Sequence, residues 1–303
     1  MAPTLTALLP VFLMIAAGYG LRRWQRIPAA FWQGAERLAY YIFFPALLIT
    51  HVSSAQLAGL SVLPMLAALA CGVLITALLA VWGRGRLGLG GAAFTSFFQG
   101  AVRPNSYVGF AAAGALFGDA GITLVAICLA AIVPLVNALS VAALVRHGDG
   151  AESGVGGVLL ALVRNPLILA SLLGIALNLT GIGLPPLVTP LLELAAGPAL
   201  PLSLLCVGAG LDVTAARHRA GIVWRATVLR LLAAPAITAL ALSVFGVEGL
   251  TATVATLYAG LPTAATAYVL ARNLGGDAET MAGTITASTL AAVVTLPLVL
   301  MLA

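Results

Sequence analysis

Residues 96–107 read SFFQGAVRPNSY, and residues 256–266 read TLYAGLPTAAT. Both stretches lie inside long apolar segments, yet each contains a glycine, a proline and several polar side chains. Because proline lacks an N–H and clashes with the preceding turn, a helix should break just before Pro104 and just before Pro262. In a bilayer, the freed backbone groups are tolerated only where protein or a wet cavity satisfies them. The two breaks therefore predict a site inside a membrane.

The composition around these breaks excludes a water-soluble globule. The chain has 303 residues, of which 62% are hydrophobic and only 8% are charged, and its mean hydropathy is +1.12. With so little polar surface, the helices must have lipid as their solvent. A spanning helix needs about 20 mostly apolar residues. That length predicts ten spans, at residues 5–24, 34–52, 62–82, 93–117, 121–145, 158–179, 188–211, 222–245, 250–273 and 280–302.

The apolar segments favour helices over a β-barrel. They are continuously apolar and rich in Leu and Ala, whereas the strands of a barrel are short and alternate polar with apolar residues. The longest polar stretch, Arg146 to Gly157, is too short for a soluble domain. No nucleic-acid-binding module and no cytosolic enzyme module fits. The predicted fold class is an all-α membrane protein of about ten transmembrane helices.

The distribution of positive charge predicts the orientation. The pI is near 9.6, but the loops after even-numbered spans hold no Lys or Arg. The loops after odd-numbered spans hold Arg22, Arg23, Arg26, Arg84, Arg86, Arg146, Arg217 and Arg219, and Arg164, Arg225 and Arg272 adjoin them. Because positive loops stay in the cytoplasm, both termini should lie on the outer side of the membrane. The first apolar run precedes its arginines, so we interpret it as a membrane helix and not as a cleaved signal.

An internal repeat relates the two halves of the chain. Pro10 and Gly18 recur 156 residues later as Pro166 and Gly174, and Pro104 recurs 158 residues later as Pro262. Recurring prolines and glycines at a nearly constant offset predict two repeats, at residues 1–145 and 158–303, joined by a cytoplasmic linker at 146–157. Five helices in each half would make the repeats inverted, an arrangement typical of transporters that alternate access to a central site.

The two breaks predict a site for an anion. Half-helix N-termini that meet near the midplane carry partial positive charge. Arg103 adds a full positive charge within a span, where an arginine is either functional or paired with a buried acid. Glu36 and Glu193 are the acids that could pair with it, and both lie near the ends of their segments.

Further polar residues near the breaks are candidates for contacts with the substrate. Asn105, Ser106, Thr263 and Thr266 could hydrogen-bond a carboxylate, although Ser and Thr are also ordinary packing residues of membrane helices. Gln99 and Tyr258 lie one turn before the breaks, and Asn137 lies midway along the fifth span, where a buried amide needs a partner. Arg230, inside the eighth span, could be a second cation of the site or could extend to the interface.

The sequence contains no signature of catalysis or of a cofactor. We find no HExxH sequence and no P-loop. Cys71, Cys128 and Cys206 fall in apolar segments without Cys-x-x-Cys spacing, so we predict neither a metal site nor a redox site.

At the breaks, residues 103–109 (RPNSYVG) with Leu116-Phe117-Gly118, and residues 261–264 (LPTA) with residues 268–271 (YVLA), resemble the auxin efflux carrier family of bacteria. Residues 199–202 (ALPL) and 207–211 (VGAGL) are similar to the seventh helix of that family. The resemblance implies the fold of the bile acid sodium symporters. Helices 1, 2, 6 and 7 would form a scaffold, helices 3–5 and 8–10 would form a moving transport group, and helices 4 and 9 would cross at Pro104 and Pro262.

The resemblance also implies the function. We expect an elevator-type carrier of mono- or dicarboxylates such as malonate or malate, coupled to a proton or a sodium ion or working without either. Homodimers through the scaffold helices are a further expectation. A receptor that binds a ligand on the same fold without moving it is the alternative from another class. A channel is a third reading, which broken and symmetric helices disfavour.

Overall fold

A computed structural model describes residues 2–24, 27–55, 61–148 and 165–302. Within those ranges the regular structure is helical, apart from one isolated antiparallel bridge between Pro104 and Thr263. The helices are Ala2–Arg23, Ala29–Leu38, Ala39–Phe43 (a π turn), Phe44–Ser53, Val62–Leu87, Gly91–Val102, Ser106–His147, Pro166–Thr180, Thr189–Ala196, Ala199–Ala209, Val213–His218, Ala220–Val228, Leu229–Ala233 (a π turn), Ala234–Val244, Gly249–Ala259, Thr266–Asn273, Ala278–Val299 and the 3-10 turn Leu300–Leu302.

Six helices in the described ranges are long and apolar enough to cross a membrane. They are Thr4–Arg23, Val62–Leu87, Ser106–His147, Thr189–Ala209, Ala220–Val244 and Ala278–Val299. Two shorter apolar helices, Pro166–Thr180 and Gly249–Ala259, accompany them. The predicted all-helical class is confirmed. The arrangement as ten spans in two inverted repeats stays a prediction.

The span boundaries differ from the predicted ones at the turn between the fourth and fifth spans. The second half of the fourth span and the whole fifth span form one element, Ser106–His147, which turns at Gly118. Gly118 has φ 58° and ψ −145°, a conformation that side chains with a Cβ rarely adopt. The predicted start of the sixth span at 158 and residues 149–157 of the linker lie outside the described residues. So do Arg26 and Arg164 of the orientation argument.

The outer surface of the helices is apolar. Leu63 and Leu194 each keep 79% of their surface exposed, and Val244 keeps 77%. In water, such a surface would favour aggregation, whereas the acyl chains of a bilayer cover it without penalty. The exposed aliphatic side chains therefore agree with a multi-pass membrane protein.

Close helix pairs are made at glycines. Ala2–Arg23 packs on Ala199–Ala209, and Phe44–Ser53 packs on Pro166–Thr180. A Cβ on Gly18 would overlap the carbonyl of Leu205, and a Cβ on Gly174, its predicted repeat equivalent, would come 2.8 Å from Val52 Cβ. Small residues let membrane helices approach closely and pack well. Gly18 and Gly174 thus each allow the close approach of one helix pair.

Two π turns interrupt longer helices near the two helix breaks. Ala39–Phe43 interrupts the helix that runs from Ala29 to Ser53, and Leu229–Ala233 interrupts the helix that runs from Ala220 to Val244. Such turns are rare and occur often at functional sites. The first contains Tyr40 and the second contains Arg230, and both residues reach the region of the two helix breaks.

Candidate functional site

The two predicted breaks meet in space and hydrogen-bond to each other. The Asn105 N–H donates to the Pro262 carbonyl at 2.8 Å, and the Ala264 N–H donates to the Arg103 carbonyl at 3.0 Å. These two bonds form the antiparallel bridge between Pro104 and Thr263. We call residues 103–105 and 262–264 the crossover. Each broken segment thereby satisfies one backbone N–H and one backbone carbonyl of the other.

Side chains satisfy further backbone groups around the crossover. The Thr263 hydroxyl donates to the Gly100 carbonyl at 2.8 Å, and the Thr263 N–H donates to Ser288 Oγ at 3.0 Å. Arg230 Nε donates to the Leu261 carbonyl at 2.8 Å, and its Nη2 donates to the Tyr258 carbonyl at 3.3 Å. Arg230, only 2% exposed, therefore stabilises the second break. It does not line the cavity described below.

Asn105 joins the crossover to the helix that follows it. Its Oδ1 accepts from the N–H groups of Tyr107 at 3.1 Å and Val108 at 3.4 Å, as an N-cap does. Its Nδ2 is buried and has no partner within the described part of the chain. A donor is therefore left free beside the positive end of a helix.

A cavity of about 140 Å³ lies against the crossover. We call it the site cavity. Its polar lining residues are Tyr40, Arg103, Asn105, Ser106, Tyr107, Asn137, Asn165 and Thr266, and the remaining wall is Pro104, Leu129, Val133, Val136, Leu167, Ala264 and Ala265. A single water needs about 10–15 Å³, so the volume holds a small molecule of several heavy atoms.

Arg103 is the cation of the site cavity. It is 8% exposed; its Nη1 donates to Asn137 Oδ1 at 2.5 Å and its Nη2 to Thr266 Oγ1 at 3.4 Å. Its Nε is buried without a partner in the described ranges, and none of the ion pairs found there involves it. A guanidinium held by neutral groups and facing a cavity retains its charge for a ligand.

The structure brings most of the predicted site residues together. Arg103, Asn105, Ser106, Asn137 and Thr266 all line the site cavity. The other three predicted residues lie elsewhere. Thr263 bonds within the crossover, Gln99 is fully buried in the Gly91–Val102 helix, and Tyr258 is buried one turn before the second break. A direct contact of these three with a substrate stays a prediction.

Sequence reasoning missed three of the polar lining residues, which are Tyr40, Tyr107 and Asn165. Tyr40 reaches the site cavity from the first π turn, which no local sequence signal predicts. Asn165 lies at the start of Pro166–Thr180, where its Oδ1 accepts from the N–H of Leu167 at 3.0 Å. An Asn followed by Pro before an apolar run is a helix-start signal, and this signal could have placed Asn165 at a helix end.

A larger cavity of about 580 Å³ adjoins the site cavity, and both are lined by Tyr107 and Ala265. We call it the vestibule. It extends to Arg22 and Arg23 at the end of the first helix and includes Glu36. Tyr107 stacks on Phe44 with ring centroids 4.7 Å apart. An aromatic pair therefore lies where the two cavities meet.

The chain is similar to known membrane transporters. A family model described as "Membrane transport protein" matches residues 155–300. The chain is also 25% identical to an uncharacterized transporter of Methanothermobacter thermautotrophicus, over 292 residues that make up 96% of this chain and 95% of that protein. The predicted resemblance to a family of membrane transporters is thus confirmed: the second half of the chain matches the membrane transport protein family, and nearly the whole chain is similar to a transporter.

Proposed function

We propose that this transporter carries small organic anions, mono- or dicarboxylates such as malonate or malate, by an elevator-type mechanism. The observation that carries the proposal is the guanidinium of Arg103, which lines the site cavity and has no acidic partner among the described residues. Burying a charge in a membrane is expensive unless the charge is used or paired. Arg103 has neutral partners, Asn137 and Thr266, which orient it without neutralising it.

The groups around Arg103 also favour an anion. Asn105 and the N-terminal end of the Ser106–His147 helix lie at the same cavity. Helix N-termini attract negative charge, and amide donors bind carboxylate oxygens. This convergence supports substrate binding over a purely structural role.

The location of the site cavity supports the elevator reading. Tyr40 and Asn165 belong to the helices proposed as scaffold, whereas the crossover and Asn137 belong to the proposed transport group. In an elevator, the substrate travels with the moving group along a fixed wall. A binding site on the boundary between the two groups is what that motion requires.

The vestibule supports an inward-facing state. It extends from the site cavity to Arg22 and Arg23, which the orientation prediction places in the cytoplasm. These arginines would also raise the local concentration of an approaching anion. Coupling to a proton or a sodium ion, and assembly as a homodimer, stay predictions.

Flux measurements on Arg103 variants test the proposal. Purified protein in proteoliposomes should accumulate a labelled small mono- or dicarboxylate with time, and pyruvate and malonate serve as the two probes. Arg103→Lys keeps a point charge but loses the bidentate hydrogen-bonding geometry, so its transport rate should be lower. Arg103→Gln should be nearly inactive in transport. A charge-assisted hydrogen bond contributes about 1.5–3 kcal/mol, so Arg103→Gln should bind roughly 10- to 150-fold more weakly.

Arg225→Gln is the matched control, because Arg225 is exposed and does not line the site cavity. It should transport like the wild type. Well-folded Arg103→Gln protein with near-native affinity would show that Arg103 is structural. Ligand binding by the wild type without time-dependent accumulation would instead favour a receptor.

A further inference from the structure

The charges around the site cavity set the charge of its occupant. Arg103 is the one lining residue with a formal charge among those described, and every other polar wall group is neutral. Leu129, Val133, Val136 and Leu167 form an apolar part of the wall. The empty site therefore has a net charge of +1 in surroundings that solvate charge poorly.

A monoanion matches this site and a dianion does not. One carboxylate on Arg103 brings the net charge of the site to zero, whereas a second carboxylate would face neutral or apolar wall and leave an uncompensated negative charge. An uncompensated buried charge is strongly unfavourable. The apolar wall offers a place for the uncharged end of a short molecule. The favoured substrate is thus a small monocarboxylate with an apolar end.

The same charge count distinguishes the loaded carrier from the empty one. While the site changes from being open to one side of the membrane to being open to the other side, it loses contact with bulk water. A loaded site crosses as a neutral pair, but an empty site would have to carry the bare Arg103 guanidinium. The Nη1 and Nη2 bonds to Asn137 and Thr266 leave that charge uncompensated, and Nε has no partner in the described ranges.

We propose that the protein exchanges one small monoanion for another, because the loaded form moves readily and the empty form does not. This inference rests on the proposed function, and it assigns the charge of the substrate and exchange as the mode of transport. Exchange of monoanion for monoanion moves no net charge. Its rate should therefore be insensitive to membrane potential.

Proteoliposomes loaded with different internal solutes test the inference on the unmodified protein. Uptake of labelled external pyruvate, a monoanion, is compared with internal pyruvate, with internal malonate and with internal gluconate, a monoanion whose hydroxylated chain lacks the apolar end that the wall of the site cavity favours. Internal pyruvate should accelerate the initial uptake at least about tenfold over gluconate, equivalent to a barrier difference of about 1.4 kcal/mol. Internal malonate should accelerate it much less. A potassium diffusion potential set with valinomycin should leave pyruvate exchange unchanged, and protein-free liposomes measure the leak.

The outcomes separate this inference from the proposed function. Equal pyruvate uptake with and without internal pyruvate would overturn exchange and leave anion transport standing. Malonate-for-malonate exchange as fast as pyruvate exchange would overturn the assignment of a monoanion. Absence of uptake of both probes under every condition would contradict the proposed function, and the inference with it.

Discussion

The two buried arginines of this protein differ in what their guanidinium groups contact. Arg230 donates to the carbonyls of Leu261 and Tyr258, which the break before Pro262 leaves without helical partners. Arg103 donates to an amide and a hydroxyl at the edge of a cavity, and its Nε has no partner in the described ranges. Either charge is costly to bury in a membrane. The different neighbours support our proposal that Arg230 stabilises the fold and that Arg103 binds a ligand.

Replacing Asn137 tests whether the free charge of Arg103 attracts the substrate. Asn137→Asp puts a carboxylate in contact with Arg103 Nη1 in place of the amide. The arginine would then be paired internally, so the affinity for pyruvate or malonate should fall at least about tenfold while the fold survives. Substrate-dependent thermal stabilisation of the purified protein measures this affinity.

Asn137→Ala is the companion variant, because it removes the hydrogen bond but leaves the charge of Arg103 free. It should weaken binding less than Asn137→Asp does. Native affinity in a well-folded Asn137→Asp protein would mean that the substrate does not contact Arg103.

At the scale of helices, glycine contacts fix how the first helix lies on the seventh predicted span. A Cβ on Gly18 would overlap the Leu205 carbonyl, and a Cβ on Gly208 would overlap the Ile15 carbonyl. The overlapping atoms belong to backbone, which cannot rotate away as a side chain can. The approach of Ala2–Arg23 to Ala199–Ala209 therefore depends on both glycines.

Gly18→Ala should destabilise the protein by about 1–3 kcal/mol, the usual result of overpacking a tight contact. Gly20→Ala is its matched control two residues along the same helix, where a Cβ would meet nothing within 4 Å. Since Ala favours helix over Gly by about 1 kcal/mol, the control should be neutral or slightly stabilising. Melting temperatures in detergent compare the two, and an equal effect of both substitutions would refute the packing argument.

The whole molecule has a predicted orientation that labelling can test. In a background without the three native cysteines, Arg217→Cys should resist an impermeant thiol reagent applied to intact cells, because arginine-bearing loops stay inside. Leu187→Cys, at an exposed position on the predicted outer side, should react readily. Labelling of Arg217→Cys only after permeabilisation verifies that this cysteine is reactive. Labelling of Arg217→Cys in intact cells would show that the topology is the reverse of the predicted one.

Relative motion of the two proposed groups can be tested by a crosslink between them. His51 Nε2 lies 3.4 Å from Asp119 Oδ1, and these residues belong to the proposed scaffold and transport group, respectively. A short thiol crosslinker joining cysteines at both positions should stop flux. Arg84 and His147 are also in contact, with 2.8 Å between Nη1 and Nδ1, but both belong to the proposed transport group. A crosslink there should leave flux intact, and full flux in the first crosslinked protein would exclude the elevator motion.

The sequence alone determined that the protein lies in a lipid bilayer, that it is helical and where its two helix breaks lie. Those properties depend on local chemistry: hydrophobic residues partition into lipid wherever they lie, and Pro104 and Pro262 each lack an N–H in a segment where glycine and polar residues already weaken the helix. Part of the candidate site could be predicted from the sequence for the same reason, because an arginine within an apolar segment, such as Arg103, is unusual whatever surrounds it.

Only the tertiary structure decided which residues share a cavity. Asn137 and Thr266 reach Arg103 across 34 and 163 residues of chain, and Tyr40 reaches the cavity from a π turn. Arg103 and Arg230 each lie in a mainly apolar span, and the sequence could single out Arg103 beside a break but could not assign a role to Arg230. What separates them is the set of atoms that the fold places opposite each guanidinium: backbone carbonyls for Arg230, and for Arg103 a cavity with room for an anion.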